Sequence, residues 1–138
     1  MFRLRFERQA EKWVNFGWDH GRFGDYWSFV HLLTGIGAGI FISLADFPLL
    51  PSLIATIVLM VAYEIAEMPA GIIEDKENSL TDIIIGALGV IGTLYVQSVL
   101  HLTLHELAAL FTAVVVINTS LAYWGRLHHI RKRNRRTK

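Results

Sequence analysis

The chain of 138 residues contains no cysteine. Disulfides, thiolate metal sites and cysteine nucleophiles are thereby excluded, and cysteine usage gives no sign of the redox compartment. Charge is scarce too. Asp, Glu, Lys and Arg make up 18% of the residues against 53% hydrophobic, a smaller charged share than a soluble domain usually carries. Proline occurs three times, so little interrupts the apolar stretches. What the sequence does have is four apolar runs, at residues 27–45, 52–73, 80–100 and 105–124. Each approaches the roughly 20 residues with which a helix crosses a bilayer. A single domain of this length has no core large enough to hide four such runs. The composition therefore argues against a soluble enzyme and against a disordered chain. Helix is the expected conformation, since hydrocarbon cannot satisfy the backbone of a lone strand.

The links between runs are short: a turn punctuated by Pro48 and Pro51, an acidic loop at residues 73–79, and a third link near His101 to His105. Short links make consecutive helices antiparallel neighbours. The net charge is +1, but its distribution is uneven. Of 13 Lys and Arg, five precede the first run (Arg3, Arg5, Arg8, Lys12, Arg22), one (Lys76) lies in the middle loop, and seven follow the fourth run. Four spans put both termini and the middle loop on one side, and the positive-inside bias makes that side cytoplasmic. The expected fold is an all-α membrane protein of the cell (inner) membrane: a four-transmembrane-helix bundle over residues 27–125. An N-terminal interfacial amphipathic helix at residues 1–26 and a basic cytoplasmic tail at residues 126–138 flank it. Phe2, Phe6, Trp13 and Phe16 recur at near-helical spacing, as in a helix lying among headgroups. The charged region is too long for a cleavable signal. Trp18, Tyr26, Trp27, Tyr123 and Trp124 stand where an aromatic belt would. The basic tail reads as a topology anchor contacting anionic lipids, with no nucleic acid expected.

The informative polar residues share a depth. At 1.5 Å rise per residue, His31 lies roughly 6 Å into its span, Glu67 about 9 Å, Glu64 about 13 Å, Asp82 within about 3 Å and Asn118 about 9 Å, all from the cytoplasmic side. A carboxylate on the lipid face costs roughly 2.5–3.5 kcal/mol on insertion scales, so Glu64 and Glu67 should face the bundle interior. They are also at i and i+3, on one helical face. Two close carboxylates in a dry site cannot both ionise cheaply, so the pair should hold a proton or a cation. A divalent cation on Glu64 and Glu67 is one option. His31 could act as base, ligand or hydrogen-bonding partner. Asp82 belongs either to this site or to a capping box, Ser79-Leu80-Thr81-Asp82, that opens the third helix. Glu74, Asp75 and Glu77 read as a solvated loop. Gly35 and Gly39 form a G-x-x-x-G packing face, and Gly86, Gly89 and Gly92 on the third span serve the same purpose. His101, His105 and Glu106 flank a turn at the opposite end. No haem is expected, because His31 and His101 lie at different depths.

Tyr63-Glu64-Ile65-Ala66-Glu67, a short loop, then Asn78-Ser79-Leu80-Thr81-Asp82 with Gly86 and Gly89 resembles small bacterial membrane proteins of the VanZ-like and YjdF-like kind. The Tyr-Glu-x-x-Glu form is nearer the YjdF-like pattern. The resemblance covers residues 27–92. It implies a cell-envelope role of the kind associated with altered glycopeptide susceptibility, and it carries over no catalytic residue.

Three functions fit these residues. The first is a membrane protein whose cytoplasmic-leaflet carboxylate site (His31, Glu64, Glu67, Asp82, Asn118) binds, and could process, a lipid or envelope intermediate. The second is a proton- or cation-conducting oligomer or small transporter, for which polarity should continue to the outer face. The third is a holin-like or structural subunit, which needs no buried acids.

Overall fold

The computed structural model describes residues 12–19, 21–67 and 76–136, leaving out the side chains of residues 67 and 133–136. Four helices follow one another: α1 (Tyr26–Leu44), α2 (Leu49–Glu67), α3 (Lys76–Leu100) and α4 (Leu104–Arg136). All four are long and apolar enough to cross a membrane, as a multi-pass membrane protein requires. Three boundaries differ from the sequence reading. α2 starts at Leu49 and takes in Pro51, which a helix tolerates in its first turn because the N–H there has no intrahelical acceptor. α3 starts at Lys76, so Ser79 and Asp82 lie within it and form no capping box at its start. α4 runs 33 residues to Arg136, about 50 Å at 1.5 Å per residue. Its basic end is a continuation of the span beyond the apolar layer instead of a separate tail.

The N-terminal segment corrects a second expectation. Residues 12–19 and 21–25 are not helical: an isolated bridge joins Val14 to Gly24, and the Arg22 and Phe23 N–H groups donate to Lys12 and Trp13 carbonyls at 2.9 Å. Trp13 and Phe16 are exposed on this irregular chain. Phe2, Phe6 and the early arginines lie outside the described residues. Trp18, expected in a belt, is buried at 8% exposure. Its ring meets Tyr26 and Trp27 edge-on at 5.4 Å and Trp124 at 6.2 Å. Gly125 makes room for it, since a Cβ there would strike the Trp18 and Trp27 rings. Tyr26, Tyr123 and Trp124 remain exposed at this end. Two ion pairs hold the segment down, Lys132–Asp19 at 2.5 Å and Arg22–Glu77 at 3.5 Å. The hydrogen bond from Lys132 holds the Asp19 carboxyl below its usual range. Glu77 therefore lies on α3 and is paired, while Glu74 and Asp75 lie outside the described residues.

α1 is the central helix: 44% of its span is buried, against 11%, 17% and 6% for the other three. It packs chiefly against α3, then α4, and α2 leans mainly on α3. Glycine allows the α1–α3 approach. A Cβ on Gly35 would collide with the Gly86 carbonyl, and one on Gly89 would press on the Leu32 carbonyl at 2.6 Å. Gly39 fits under Thr93, and Gly86 under Met60. Gly92 differs from the expectation, because nothing lies within 4 Å of the place its Cβ would occupy. In a bilayer, such close approach is what associates helices, because lipid tails are as apolar as the side chains. Ile42, Met60 and Val90 form the small buried core, and the large apolar residues of α2, including Ile54, Val58 and Leu59, face outward. Asp25 caps α1: its carboxylate accepts from Trp27 N–H at 2.7 Å, and Ser28 Oγ accepts from Asp25 N–H at 3.2 Å.

A candidate His-Glu-Asp site between three helices

Three ionisable side chains expected at one depth do converge. His31 is the sixth residue of α1, Glu64 lies one turn from the last residue of α2, and Asp82 is the seventh residue of α3. Antiparallel neighbours bring these three positions to the same end of the bundle. His31 Nε2 stands 3.4 Å from Glu64 Oε1 and 3.9 Å from Asp82 Oδ2. The side-chain exposures are 11% for His31, 6% for Glu64 and 0% for Asp82, so the cluster is shielded from the surroundings. One ligand atom from each residue lies within 4.8 Å of the other two. Ionisable groups this enclosed within membrane-crossing helices are rare and mark functional sites by default, because an unneeded charge there is expensive.

Two neighbours orient the cluster. Asn78, fully buried, donates from Nδ2 to Asp82 Oδ2 at 3.3 Å. It lies one turn before Asp82 on α3, which is why the two amide and carboxylate groups meet. Tyr63 sets its ring edge-on to His31 at 5.7 Å. Neither Asn78 nor Tyr63 has a role in the site as read from the sequence. The i, i+4 spacing from Asn78 to Asp82 was the available signal for the first, but it became readable only with α3 starting at Lys76.

The other expected members go elsewhere. Asn118 Nδ2 donates to Thr34 Oγ1 at 2.9 Å, so Asn118 ties α4 to α1 one turn deeper than His31. Glu67 ends α2, and its side chain lies outside the described residues, so the Glu64–Glu67 pairing stands as an expectation. At the opposite end, Glu106 accepts from Thr103 N–H and Oγ1 at 2.8 Å and completes a capping box that opens α4. His101 ends α3 with φ 49°, a left-handed conformation that favours glycine or asparagine. That corner serves the turn.

Deeper along α1, on the side facing α4, an apolar cleft of ≈ 410 Å³ opens between α1, α3 and α4. Leu32, Ile36 and Ile40 form its α1 wall, and Gly89, Gly92 and Val114 are among the residues opposite. Its polar residues are already satisfied: Thr93 Oγ1 donates to the Gly89 carbonyl, and Gln97 both donates to the Leu102 carbonyl and accepts from the Leu102 N–H.

The chain matches no protein-family model, no curated protein sequence and no solved structure. Its functional reading rests on its own residues.

Proposed function

We propose that this is a cell-membrane protein with both termini cytoplasmic, whose His31–Glu64–Asp82 cluster binds the polar head of a membrane-embedded lipid or cell-envelope intermediate in the cytoplasmic leaflet. The observation that carries the reading is the convergence of an imidazole and two carboxylates from three helices at the basic end of the bundle. An amphiphile suits a small enclosed polar centre between apolar helices with an apolar cleft deeper along α1. His31 would offer its imidazole nitrogen, and Glu64 and Asp82, the latter fixed by Asn78, would supply the carboxylate charge that holds the head. This is a role of the kind that the VanZ-like and YjdF-like resemblance implies.

Conduction of a proton or cation is the weaker reading. A relay to the outer face would need polar groups beyond the cluster. Gln97 is engaged with Leu102, and Ser98 Oγ donates to the Tyr95 carbonyl at 2.7 Å. A structural or holin-like subunit would have no use for the enclosed acids. The test is lipid analysis of the detergent-purified protein. Wild type should carry a stoichiometric co-purifying amphiphile that a Glu64→Gln, Asp82→Asn double variant of equal helicity has lost. Equal lipid content in both would refute the reading.

A further inference from the structure

We infer that the His31–Glu64–Asp82 cluster is a binding site for one divalent first-row transition ion of the zinc kind, held by Nε2 and two carboxylate oxygens with a coordination position left open. This deepens the proposed function and rests on the reading of that cluster as a binding site. The donor set is one argument. An imidazole nitrogen with two carboxylates selects zinc-like ions over calcium or magnesium, which take oxygen ligands. The three donors also come from three different helices, so no local sequence constraint explains their meeting.

Distance is the second argument. Around a tetrahedral ion with bonds of about 2.0–2.2 Å, neighbouring ligand atoms stand roughly 3.3–3.6 Å apart. His31 Nε2 and Glu64 Oε1 are already at 3.4 Å, His31 Nε2 and Asp82 Oδ2 are at 3.9 Å, and all three atoms fall within 4.8 Å of one another. Closing on an ion therefore needs movements of only an ångström or so. Asn78 supplies the third argument. It donates to the same Asp82 oxygen that faces His31, as groups behind metal ligands do when they fix the ligand's orientation. The charge is also suited: two carboxylates beside a neutral imidazole carry −2, which one divalent ion offsets inside an apolar layer. The open position is where a phosphate or carboxylate oxygen of the amphiphile's head would bind.

The experiment uses the full chain in detergent, stripped with EDTA, titrated with Zn²⁺ and analysed for retained metal after desalting. Wild type should retain one Zn²⁺ per chain. His31→Ala and Asp82→Asn should each weaken binding by about 100-fold or more, and Asn78→Ala by about 10-fold. A His128→Ala, His129→Ala variant, which removes two half-buried imidazoles on α4 outside the cluster, should bind as wild type does. Should a variant fail to fold, wild type loaded with Co²⁺ decides instead: visible bands of a low-symmetry nitrogen–oxygen site support the inference, and the spectrum of aqueous cobalt refutes it. No retained Zn²⁺, or equal retention by folded His31→Ala, also refutes it. If the ion fails while lipid binding still depends on Glu64, the metal site is overturned and the proposed function stands. If Zn²⁺ binds to a chain that holds no lipid, the proposed function is overturned and the metal site stands.

Discussion

At the scale of single residues, Glu64 is the group whose chemistry decides most. It is 5% exposed on a helix of which only 11% of the span is buried, and His31 Nε2 stands 3.4 Å from its Oε1. Gln in its place keeps the shape and removes the charge. Beside a neutral imidazole, an ionised Glu64 is a desolvated charge, and a neutral amide in its place relieves that cost. Glu64→Gln should therefore melt at the same temperature or higher while losing its bound ligand, the pattern of a site that trades stability for function. A loss of both together, measured by thermal unfolding in detergent beside lipid content, would make Glu64 structural. The sequence made this residue legible because depth alone makes a membrane carboxylate expensive. It did not make Asn118 or Asp82 equally legible. Depth says nothing about azimuth, and Asn118 points to Thr34 instead of the cluster. Asp82 looked like a cap because Ser79 precedes it at the right spacing, whereas the helix had already begun at Lys76. His101 carries a separate expectation. At φ 49° it holds a conformation that an L residue adopts at a cost of roughly 1–2 kcal/mol. His101→Gly should raise stability by a comparable amount, up to about 1 kcal/mol after glycine's own entropy is counted.

At the scale of elements, the contact between α1 and α3 positions the site, because His31 and Asp82 ride on these two helices. Glycine sets their separation at Gly35 and Gly86. Gly35→Ala drives a methyl group into the Gly86 carbonyl, with backbone on both sides and nothing that can rotate away. It should destabilise the bundle by about 3 kcal/mol, at the upper end for overpacking. Gly92→Ala meets open space and should be neutral or stabilising by up to about 1 kcal/mol, because alanine is the better helix former. Thermal unfolding of the two variants side by side checks both, and equal effects would mean that the interface lies elsewhere. The sequence showed the glycines and their spacing but not which of them face a partner. Six glycines on two helices look alike until the crossing point is known. Residues 12–19 and 21–25 are not helical for a different reason. Their apolar period is helical, but Gly17, Gly21 and Gly24 interrupt it, and Trp18 gains more by burial over Gly125 than it would on a helical face.

For the whole molecule, the account rests on four crossings with the basic ends on one side. The absence of native cysteine makes single-cysteine variants unambiguous reporters. A membrane-impermeant thiol reagent added outside should label Thr103→Cys, in the link before α4, and miss Glu77→Cys at the start of α3. Labelling of Glu77→Cys from outside would invert the orientation and place the cluster in the outer leaflet. The number of helices long and apolar enough to cross a membrane was legible in the sequence, because run length and hydropathy depend on no neighbour. The order of packing, with α1 at the centre, was not, because all four runs are about equally apolar and only the glycine contacts distinguish them.

The most direct measurement of the central claim is photo-crosslinking from the position beside the cluster. A photoreactive phenylalanine analogue replaces Tyr63, whose ring lies edge-on to His31 at 5.7 Å. The same replacement at Tyr95, exposed in the opposite half of α3, serves as the control. The account predicts a discrete amphiphile adduct at position 63, detected by intact-mass analysis. That adduct should disappear when Glu64→Gln and Asp82→Asn are added, while bulk-lipid adducts at position 95 stay unchanged. The same heterogeneous bulk-lipid adducts at both positions, indifferent to Glu64 and Asp82, would contradict it.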